Sequence, residues 1–408
     1  MRYILSKPDK TIRGVVNLPS SKSIANRALI MNALSYSPYE IQNLHNSDDT
    51  IVMQQVLNSN TNSFDIGHAG TAMRFLTAFL SQIVGEWTIT GSERMKQRPI
   101  KLLVDALTEL GAKIEYLGNE GYPPLRITGC RLKGKVLELD GSVSSQYISA
   151  LLMIAPTIQG GLTLRLKNKI TSRPYITLTL DLMKQFGIQS VWKGNEIRIN
   201  EQTYRPIPFT VEADWTAASY WYQLLALADE GQVELRNLQL NSLQGDSSMS
   251  SWFEPFGVES QDTGAGVILK KTALIQPKHL GLNFSENPDV AQTMAVLCVL
   301  KQIPFHFTGL ETLKIKETDR ISALQNELAR LGAEVKEPRH GELSWEGTFP
   351  FRKEETPLIF TYHDHRMALA FAPAAMFGKI EIDDPMVITK SYPTYYDDLK
   401  QVGFEISE

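Results

Sequence analysis

The feature that most constrains this chain is an internal repeat of helix starts. Polar or charged residues lead into small-residue, apolar stretches six times, and the first is "PSSKSIANRAL" from Pro19. The other five begin at Ala69, Ser144, Ala213, Asn287 and His363. From the second stretch onward successive starts lie about 70 residues apart, whereas the first interval is about 50. Such a period predicts an array of about six units, one of them completed by a distant part of the chain.

A second, amphipathic helix type recurs within the units. An Arg opens each of these helices and a Gly follows each as a C′ cap: Arg98 and Gly111, Arg173 and Gly187, Arg320 and Gly332. Short strands follow at "AKIEYL", "IQSVWK" and "AEVKE", and alternating runs such as "GLTLRLKN" and "GQVELRNL" predict more. The sequence therefore predicts an α/β (α+β) protein whose Ala-, Met- and Leu-rich helices are largely buried.

Bulk properties limit the class of protein. A chain of 408 residues exceeds what one core supports and indicates two domains, with the best crossing at "YRPIPFTVEAD" from Tyr204 to Asp214. The net charge of −4 gives no general basic field for nucleic acid or an anionic membrane. Cys130 and Cys298 form no disulfide framework or metal motif. No secretory leader or membrane-length apolar run is seen, so we expect a cytoplasmic protein.

Positively charged residues recur at helix starts, where the positive end of the helix dipole disfavours them. Lys22 lies in the first turn of the first stretch, where Ser20 or Ser21 can cap the helix, and Arg27 follows one turn later. Similar placements recur at the later helix starts and loops: Arg74, Arg94, Lys96, Arg98, Lys316, Arg320, His363, His365, Arg366 and Lys390. Each motif alone is compatible with a solvated basic face, but together in an acidic chain they favour a site for several anions.

Two carboxylates are candidates for proton transfer. Pro288 suits the first helical position, and Asp289 after it is either a helix cap or a base for a substrate hydroxyl. Glu317 lies between Lys316 and Arg320, which would share one helical face. Glu317 is either a structural ion-pair partner or a proton-transfer group.

In combination these motifs resemble one family, the 5-enolpyruvylshikimate-3-phosphate (EPSP) synthases. "PSSKSIANRAL", "AGTAMR", "RMKQRP", "SSQY", "KETDR" and "DHRMA" occur in that order over nearly the whole chain. The resemblance implies the enolpyruvyl transferase fold, with two similar domains, each of three βαβαββ units around a pseudo-threefold axis. It implies one domain of residues 1–19 and 212–408 on the phosphoenolpyruvate side, with the base and acid. Residues 20–211 would form the second, on the shikimate 3-phosphate side.

The family joins the 5-hydroxyl of shikimate 3-phosphate to the enol carbon of phosphoenolpyruvate and releases phosphate, without metal or organic cofactor. The resemblance assigns shikimate 3-phosphate to Lys22, Ser23, Arg27, Ser144, Ser145, Gln146, Ser172, Tyr175, Asp289, Thr312 and Lys316. It assigns phosphoenolpyruvate to Lys22, Gly70, Arg94, Gln146, Arg320, Arg366 and Lys390. Further contributions are implied for His68, Thr71, Arg74 and His365. Asp289, helped by Lys316, would take the hydroxyl proton, and Glu317, with or without Lys22, would protonate the methylene carbon.

Three positions depart from the family pattern. His68 replaces an Asn, and it would either donate to phosphoenolpyruvate or only pack. Phe75 replaces a Pro, and Thr312 replaces an Asn that contacts the shikimate phosphate.

Two other functions remain open at this stage. The sister family, UDP-N-acetylglucosamine 1-carboxyvinyltransferase, carries a Lys-Asn pair and a reactive loop Cys, whereas this chain has Lys22-Ser23 and no Cys in "GSERMKQRP". A non-catalytic binder of phosphorylated metabolites is the second alternative. For the synthase we expect a monomer that binds two small-molecule substrates, neither nucleic acid nor a membrane.

Overall fold

The computed structural model describes residues 1–44, 47–142, 144–273, 276–347 and 356–408. These residues form two compact units. The terminal unit contains Met1–Pro19 and Glu212–Glu408, and the central unit contains Ser20–Val211. Each unit is described by itself below.

Eleven α-helices occur in the described ranges, and most are between two and four turns long. They are α1 Lys22–Leu34, α2 Asp48–Leu57, α3 Gly70–Leu80, α4 Lys101–Glu109, α5 Ser145–Ile154, α6 Arg173–Gln185, α7 Trp215–Leu227, α8 Ala291–Leu300, α9 Arg320–Arg330, α10 His365–Phe371 and α11 Tyr395–Gln401. Short 3₁₀ segments supplement them at Met95–Gln97, Ala155–Thr157, Gly245–Phe256, Pro288–Val290, Glu311–Ile315, Ala372–Met376 and Pro385–Lys390.

The strands of the same ranges are short. The first eleven are β1 Arg2–Ser6, β2 Thr11–Asn17, β3 Ile41–Gln42, β4 Ser63–Asp65, β5 Gly85–Thr90, β6 Lys113–Tyr116, β7 Leu125–Gly129, β8 Val136–Asp140, β9 Leu162–Lys167, β10 Ser190–Lys193 and β11 Glu196–Ile199. The others are β12 Phe209–Thr210, β13 Glu230–Arg236, β14 Val258–Asp262, β15 Gly266–Lys271, β16 Leu280–Asn283, β17 Phe305–Thr308, β18 Leu343–Trp345, β19 Leu358–Ile359, β20 Ile380–Asp383 and β21 Glu405–Ser407.

One strand order recurs through the sheets. Within the described residues, the central unit has sheets of order β4-β5-β7-β6, β10-β11-β9-β8 and β12-β3. The terminal unit has sheets of order β19-β20-β1-β21, β14-β15-β13-β2 and β16-β17-β18. Each of these sheets contains one parallel pair, and in four of them a largely buried helix connects the two strands: β4 with β5, β8 with β9, β16 with β17 and β19 with β20. The other parallel pairs, β3 with β12 and β2 with β13, join strands that are distant in the sequence. Both four-stranded sheets of the central unit follow the chain order strand, helix, parallel strand, helix and two antiparallel strands.

Distant parts of the chain complete three of the sheets. The N-terminal strand β1 pairs with β20 and β21, and β2 pairs in parallel with β13 over seven residues. In the central unit β12 pairs in parallel with β3, so residues far along the chain complete the first sheet. The first interval of the repeat is short because β3, α2 and β4 alone lie between α1 and α3 in the described ranges, whereas β5, α4, β6, β7 and β8 lie between α3 and α5.

Burial separates the two helix types. Every residue of α7, α8 and α10 is buried, whereas α4, α6 and α9 expose one polar face. Gly111, Gly187 and Gly332 stand at C′ with φ of +101°, +85° and +99°, a region that glycine enters without strain. The predicted buried helices and glycine caps are both confirmed.

Several local predictions are wrong, for identifiable reasons. The strand expected at "AEVKE" is reduced to a single bridge from Lys336 to Ser344, since Pro338 follows and cannot continue a ladder. Arg98 is not helical: its ψ is 124°, because Pro99 disfavours the α region, and α4 begins at Lys101. Lys316 is extended and precedes α9, so it does not share a helical face with Arg320.

Candidate active site

Arg320 is the centre of a charged cluster in the terminal unit. Arg320 is 1% exposed at the first position of α9, where Asp319 caps the helix by accepting from the Ile321 and Ser322 N–H groups. Arg320 Nε and Nη2 donate to the two oxygens of Asp364 at 2.7 and 3.3 Å. We call the following set the ion-pair cluster: Asp289, Lys316, Glu317, Arg320, Asp364, Arg366 and Lys390.

Asp289 lies among three cations of this cluster. Arg320 Nη1 donates to its Oδ1 at 2.9 Å, Arg366 Nη2 donates to its Oδ2 at 2.8 Å, and Lys316 Nζ is 3.5 Å from Oδ1. Burial alone would raise the pKa of Asp289, but Arg366, Lys316 and Arg320 outweigh it and hold this pKa well below the usual range. Asp289 is therefore an ionised carboxylate at neutral pH.

Glu317 is the second carboxylate between cations. Arg320 Nη2 donates to its Oε2 at 2.9 Å, and Lys390 Nζ donates to its Oε1. Lys390 is buried at the end of the 3₁₀ segment Pro385–Lys390. Burial lowers the pKa of Lys316, although Asp289 opposes that effect. The six Asp, Glu, Lys and Arg residues that the sequence predicted in this unit thus meet in one network, whereas the exposed His363 contacts Asp384 instead.

Three further groups lie beside this network: the sequence analysis missed Asp364 and Tyr220, and it gave His365 only an implied contribution. Asp364 caps α10 through the Arg366 N–H, so the signal for it was an Asp directly before an apolar helix. Tyr220 OH accepts from Arg366 Nη1 at 3.4 Å, and burial raises the pKa of Tyr220 to about 12. His365 Nδ1 lies 3.7 Å from Asp364.

Asp246 is the missed residue with no sequence signal. It accepts from Thr216 Oγ1 at 2.6 Å and from Asn287 Nδ2 at 3.1 Å, and all three residues are buried. Burial, and then the Asp289 carboxylate, raise the pKa of Asp246 to about 6. Asp246 therefore holds Asn287, two residues before the candidate base.

Arg27 is the corresponding buried cation of the central unit. Nε donates to Thr179 Oγ1 at 2.7 Å, Nη2 donates to Ser149 Oγ at 3.0 Å, and Nη1 donates to the Ser23 carbonyl at 2.8 Å. Its Nη2 also reaches the Tyr175 carbonyl at 3.4 Å. Burial lowers the pKa of Arg27 to about 10. We call these five residues the Arg27 site.

The start of α1 differs from the expected capped start. Ser21 occupies the N-cap position, but its side chain makes no capping hydrogen bond. Its Oγ is buried and has no hydrogen-bond partner in the part of the chain that the structure describes. Lys22 follows at the first helical position, and Phe75 packs with its ring centroid 5.3 Å from the Arg27 guanidinium carbon. The departure at Phe75 thus contributes a cation–π contact to the Arg27 site.

The starts of α3 and α5 meet within the central unit. Gln146 Nε2 donates to Thr71 Oγ1 at 3.1 Å, and the Ser144 side chain caps α5 through the Gln146 N–H. Ser145 follows as the first helical residue. Arg74 donates to the Gly70 carbonyl at 2.9 Å, so it is anchored on its own helix start.

The remaining predicted residues lie as follows. His68 is exposed and its Nδ1 lies 2.9 Å from Ser92 Oγ, and Arg94 is exposed before the Met95–Gln97 segment. Ser172 precedes α6 with φ of +51°. Thr312 Oγ1 is buried and has no hydrogen-bond partner among the described residues.

No group of three or more possible metal-ligating side chains is found among the described residues. Within the same residues, no helix has the length and apolar character needed to cross a membrane.

Comparison with solved structures defines the class of fold. Two structures of EPSP synthase from Acinetobacter baumannii superpose with TM-scores of 0.78 and 0.77, at 20% and 19% identity. Each comparison covers all of both chains. The fold is therefore the two-domain enolpyruvyl transferase fold, and at this identity the likeness extends to the fold alone.

Sequence comparison identifies the family. The chain matches the family described as EPSP synthase (3-phosphoshikimate 1-carboxyvinyltransferase) over residues 6–60 and 52–399. A 3-phosphoshikimate 1-carboxyvinyltransferase of Bacteroides fragilis is 52% identical over 408 residues, covering 100% of this chain and 99% of the relative. One of Vibrio atlanticus is 35% identical over 433 residues, covering 99% and 100%. The chain belongs to the EPSP synthase family.

Proposed function

We propose that this chain transfers the enolpyruvyl group of phosphoenolpyruvate to the 5-hydroxyl of shikimate 3-phosphate and releases phosphate. The observation that carries the proposal is Asp289, an ionised carboxylate held between Arg320, Arg366 and Lys316. This arrangement supplies a base beside a set of cations that suits an anionic donor. Addition would give a tetrahedral intermediate, and elimination of phosphate would give the enol ether.

Residue assignments follow the family motifs. We assign shikimate 3-phosphate to Lys22, Ser23, Arg27, Ser144, Ser145, Gln146, Ser172, Tyr175, Asp289, Thr312 and Lys316. We assign phosphoenolpyruvate to Lys22, Gly70, Arg94, Gln146, Arg320, Arg366 and Lys390. The terminal unit accordingly supplies the base and the acid, and the central unit supplies most of the groups for shikimate 3-phosphate.

The ion-pair cluster suggests how the proton-transfer groups become available. Asp289 and Glu317 neutralise Arg320, Arg366 and Lys390 in the structure described here. The phosphate and carboxylate of phosphoenolpyruvate would compete for the same guanidinium and ammonium groups. As the substrate anions take over these contacts, Asp289 would gain basicity toward the 5-hydroxyl. Glu317 would lose the two contacts that favour its carboxylate form, and could then deliver a proton to the methylene carbon.

The test is phosphate release by the purified protein, with both substrates and no added metal. We expect release only when both substrates are present, and a decrease of at least about a hundredfold in Asp289→Ala. Asp397→Ala is the matched control, since Asp397 is an exposed carboxylate (74% of its side chain) of the same unit. Tight binding of shikimate 3-phosphate without any release would instead indicate a non-catalytic binder.

The role of Glu317 has a separate test. Glu317→Gln should slow the incorporation of solvent deuterium into the product methylene, because the amide cannot donate that proton. Unchanged exchange and turnover would remove Glu317 from this role. A monomeric state and a cytoplasmic location also stay predictions, and light scattering of the purified protein checks the first.

A further inference from the structure

Asp246 lies close to the candidate base in the terminal unit, yet the proposed reaction gives it no role. It is 5% exposed in the first turn of the 3₁₀ segment Gly245–Phe256. Its Oδ2 accepts from Thr216 Oγ1 of α7 at 2.6 Å, and its Oδ1 accepts from Asn287 Nδ2 at 3.1 Å. An ionised carboxylate with uncharged partners in a buried position is unfavourable for stability, which points to a role in function.

Asn287 connects Asp246 to the candidate base. It occupies the N-cap position of Pro288–Val290, but its side chain makes no capping hydrogen bond there and donates to Asp246 instead. Pro288 has a fixed φ and restricts the backbone of the residue before it. Asp289 follows Pro288 directly. The hydrogen bond from Asn287 to Asp246 therefore limits where the Asp289 carboxylate can lie.

The two carboxylates also act on each other through their charges. Burial, and then the charge of Asp289, raise the pKa of Asp246 to about 6, and this shift is opposed by the hydrogen bonds from Thr216 and Asn287 and by the Arg366 guanidinium. Electrostatic coupling between two titrating groups is reciprocal. An ionised Asp246 must therefore make the Asp289 carboxylate more basic by the same coupling free energy.

The neighbouring elements carry further titratable groups. α7 carries Tyr220, which is neutral because burial raises its pKa to about 12. β14 packs against the same 3₁₀ segment and carries Glu259 and Asp262 at exposed positions. The start of α10 carries Asp364 and His365, 3.7 Å apart. A variant at Asp246 leaves all of these groups in place, so their titration is common to the variant and the parent protein.

We propose that Asp246 is a positioning residue for the transfer reaction: through Asn287 it holds the turn that carries Asp289, and its negative charge makes Asp289 a stronger base. The inference rests on the proposed function for the role of Asp289. Asp246 contacts neither substrate in this proposal, so it should affect the chemical step and leave substrate binding nearly unchanged.

The first experiment compares phosphate release by the parent protein and by Asp246→Asn. The amide resembles the protonated carboxyl group, since it keeps an oxygen for Asn287 and the Thr216 hydroxyl can accept from its nitrogen. At about pH 8 kcat should fall about tenfold, while the KM of each substrate should stay within about threefold. Asp262→Asn is the matched control, because this exposed carboxylate accepts from the Gly264 N–H and an amide oxygen can keep that bond. An unchanged kcat, or a parallel increase in both KM values, would overturn the inference.

The pH profile separates an effect of charge from a merely structural one. The ratio of kcat/KM between the parent protein and Asp246→Asn should be smallest at about pH 5, rise through about pH 6 and level off by about pH 8. Taking the ratio cancels the ionisation of the substrate phosphates, which is the same for both proteins. A ratio that stays constant over this range would show that the charge of Asp246 plays no part.

Thr216 provides a way to move this midpoint. Thr216→Val keeps the shape of the side chain but removes the hydroxyl, so the ionised Asp246 loses a hydrogen bond that favours it. In the Thr216→Val background the rise of the same ratio should therefore shift to higher pH. Thr216→Ser keeps the hydroxyl and should restore the midpoint of the parent protein. A midpoint that is unmoved in Thr216→Val would contradict the inference.

Carbon-13 NMR of the aspartate carboxyl groups tests the coupling without turnover. Asp289→Asn should lower the pKa of Asp246, because the repulsive neighbour is removed, and the Asp246 signal is identified by its loss in Asp246→Asn. If the parent protein releases no phosphate but this shift occurs, the proposed function fails and the coupling stands. If the parent protein releases phosphate but the titration of Asp246 is unmoved, the inference fails and the proposed function stands.

Discussion

Arg320 of the terminal unit and Arg27 of the central unit are almost equally buried, at 1% and 2% exposure, but their surroundings are opposite. Arg320 contacts the carboxylates of Asp289, Glu317 and Asp364. The four hydrogen bonds that Arg27 makes within the described residues go to uncharged oxygens. The pKa values agree, since carboxylates raise that of Arg320 above its usual range against the effect of burial, whereas burial lowers that of Arg27 to about 10.

This difference distinguishes two ways to prepare a cation for an anionic ligand. In the ion-pair cluster, protein carboxylates hold the cations until a ligand replaces them, so removal of one partner leaves uncompensated buried charge and ligand binding must displace a partner. At the Arg27 site the guanidinium is held by uncharged acceptors. Folding must therefore overcome the unfavourable free energy of burying this charge, and an anionic ligand can contact it without displacing a protein carboxylate. The two sites should therefore respond oppositely when the cation is removed.

The largest expected effect comes from that removal. Arg320→Met should lower the free energy of unfolding by about 3–5 kcal/mol, because it leaves three carboxylates without their shared cation. Arg27→Met should change it by less than about 1 kcal/mol, since the lost hydrogen bonds are offset by relief from burying a charge. Urea unfolding measures both, with Arg165→Met as a control at an exposed ion pair. Equal losses at the two arginines would contradict the comparison.

Like Arg27, Asp246 is a buried ionisable residue whose hydrogen bonds go to uncharged groups, but its charge has the opposite sign. It therefore provides a second test of the comparison, within the terminal unit. It is a buried carboxylate held by Thr216 and Asn287, with a pKa raised to about 6. In an unfolded chain an Asp titrates near pH 4. Between about pH 4 and 6 the folded protein therefore binds a proton that the unfolded chain has released, and this stabilisation is lost as the pH rises through 6.

The measurement is the free energy of unfolding of the parent protein and of Asp246→Asn from pH 4 to pH 7. The parent should lose about 2 kcal/mol relative to the variant over this range. The difference at pH 4 serves as the control, because the carboxyl is mostly protonated there and only the changed hydrogen bonds remain. Two curves that stay parallel would show that Asp246 does not titrate in this way.

Much of the fold could be predicted because it repeats. The six helix starts, and the glycines that end α4, α6 and α9, are each recognised from a few adjacent residues. These short patterns recur with the structural repeat, so one unit supports the prediction of the next. Pro288 also begins its 3₁₀ segment as expected. The partner strands β1, β2 and β12 could not be placed this way, because they join sheets formed by distant residues.

The positions of the site residues were less predictable where they depend on contacts between residues that are distant in the sequence. The motif "RMKQRP" contains Arg94 and Arg98 at similar positions, but only the anchoring of Pro99 by Arg74 and Tyr147 brings Arg98 to Gly70. Asp246 was missed because about 40 residues separate it from Asn287 and no period connects them. The residue assignments to the two substrates stay predictions.

The smallest expected effect tests the helix starts of the two units. Asp319 at the start of α9 accepts from two backbone N–H groups, whereas Ser21 at the start of α1 makes no such bond. Asp319→Ala should therefore lower the free energy of unfolding by about 1 kcal/mol, and Ser21→Ala by less than about 0.5 kcal/mol. Urea unfolding of the two variants beside the parent protein measures the difference. A loss at Ser21 as large as at Asp319 would mean that α1 depends on its cap. The first N–H groups of α1 would then be engaged by the protein itself, and would not be free for the phosphate that we assign to this helix start.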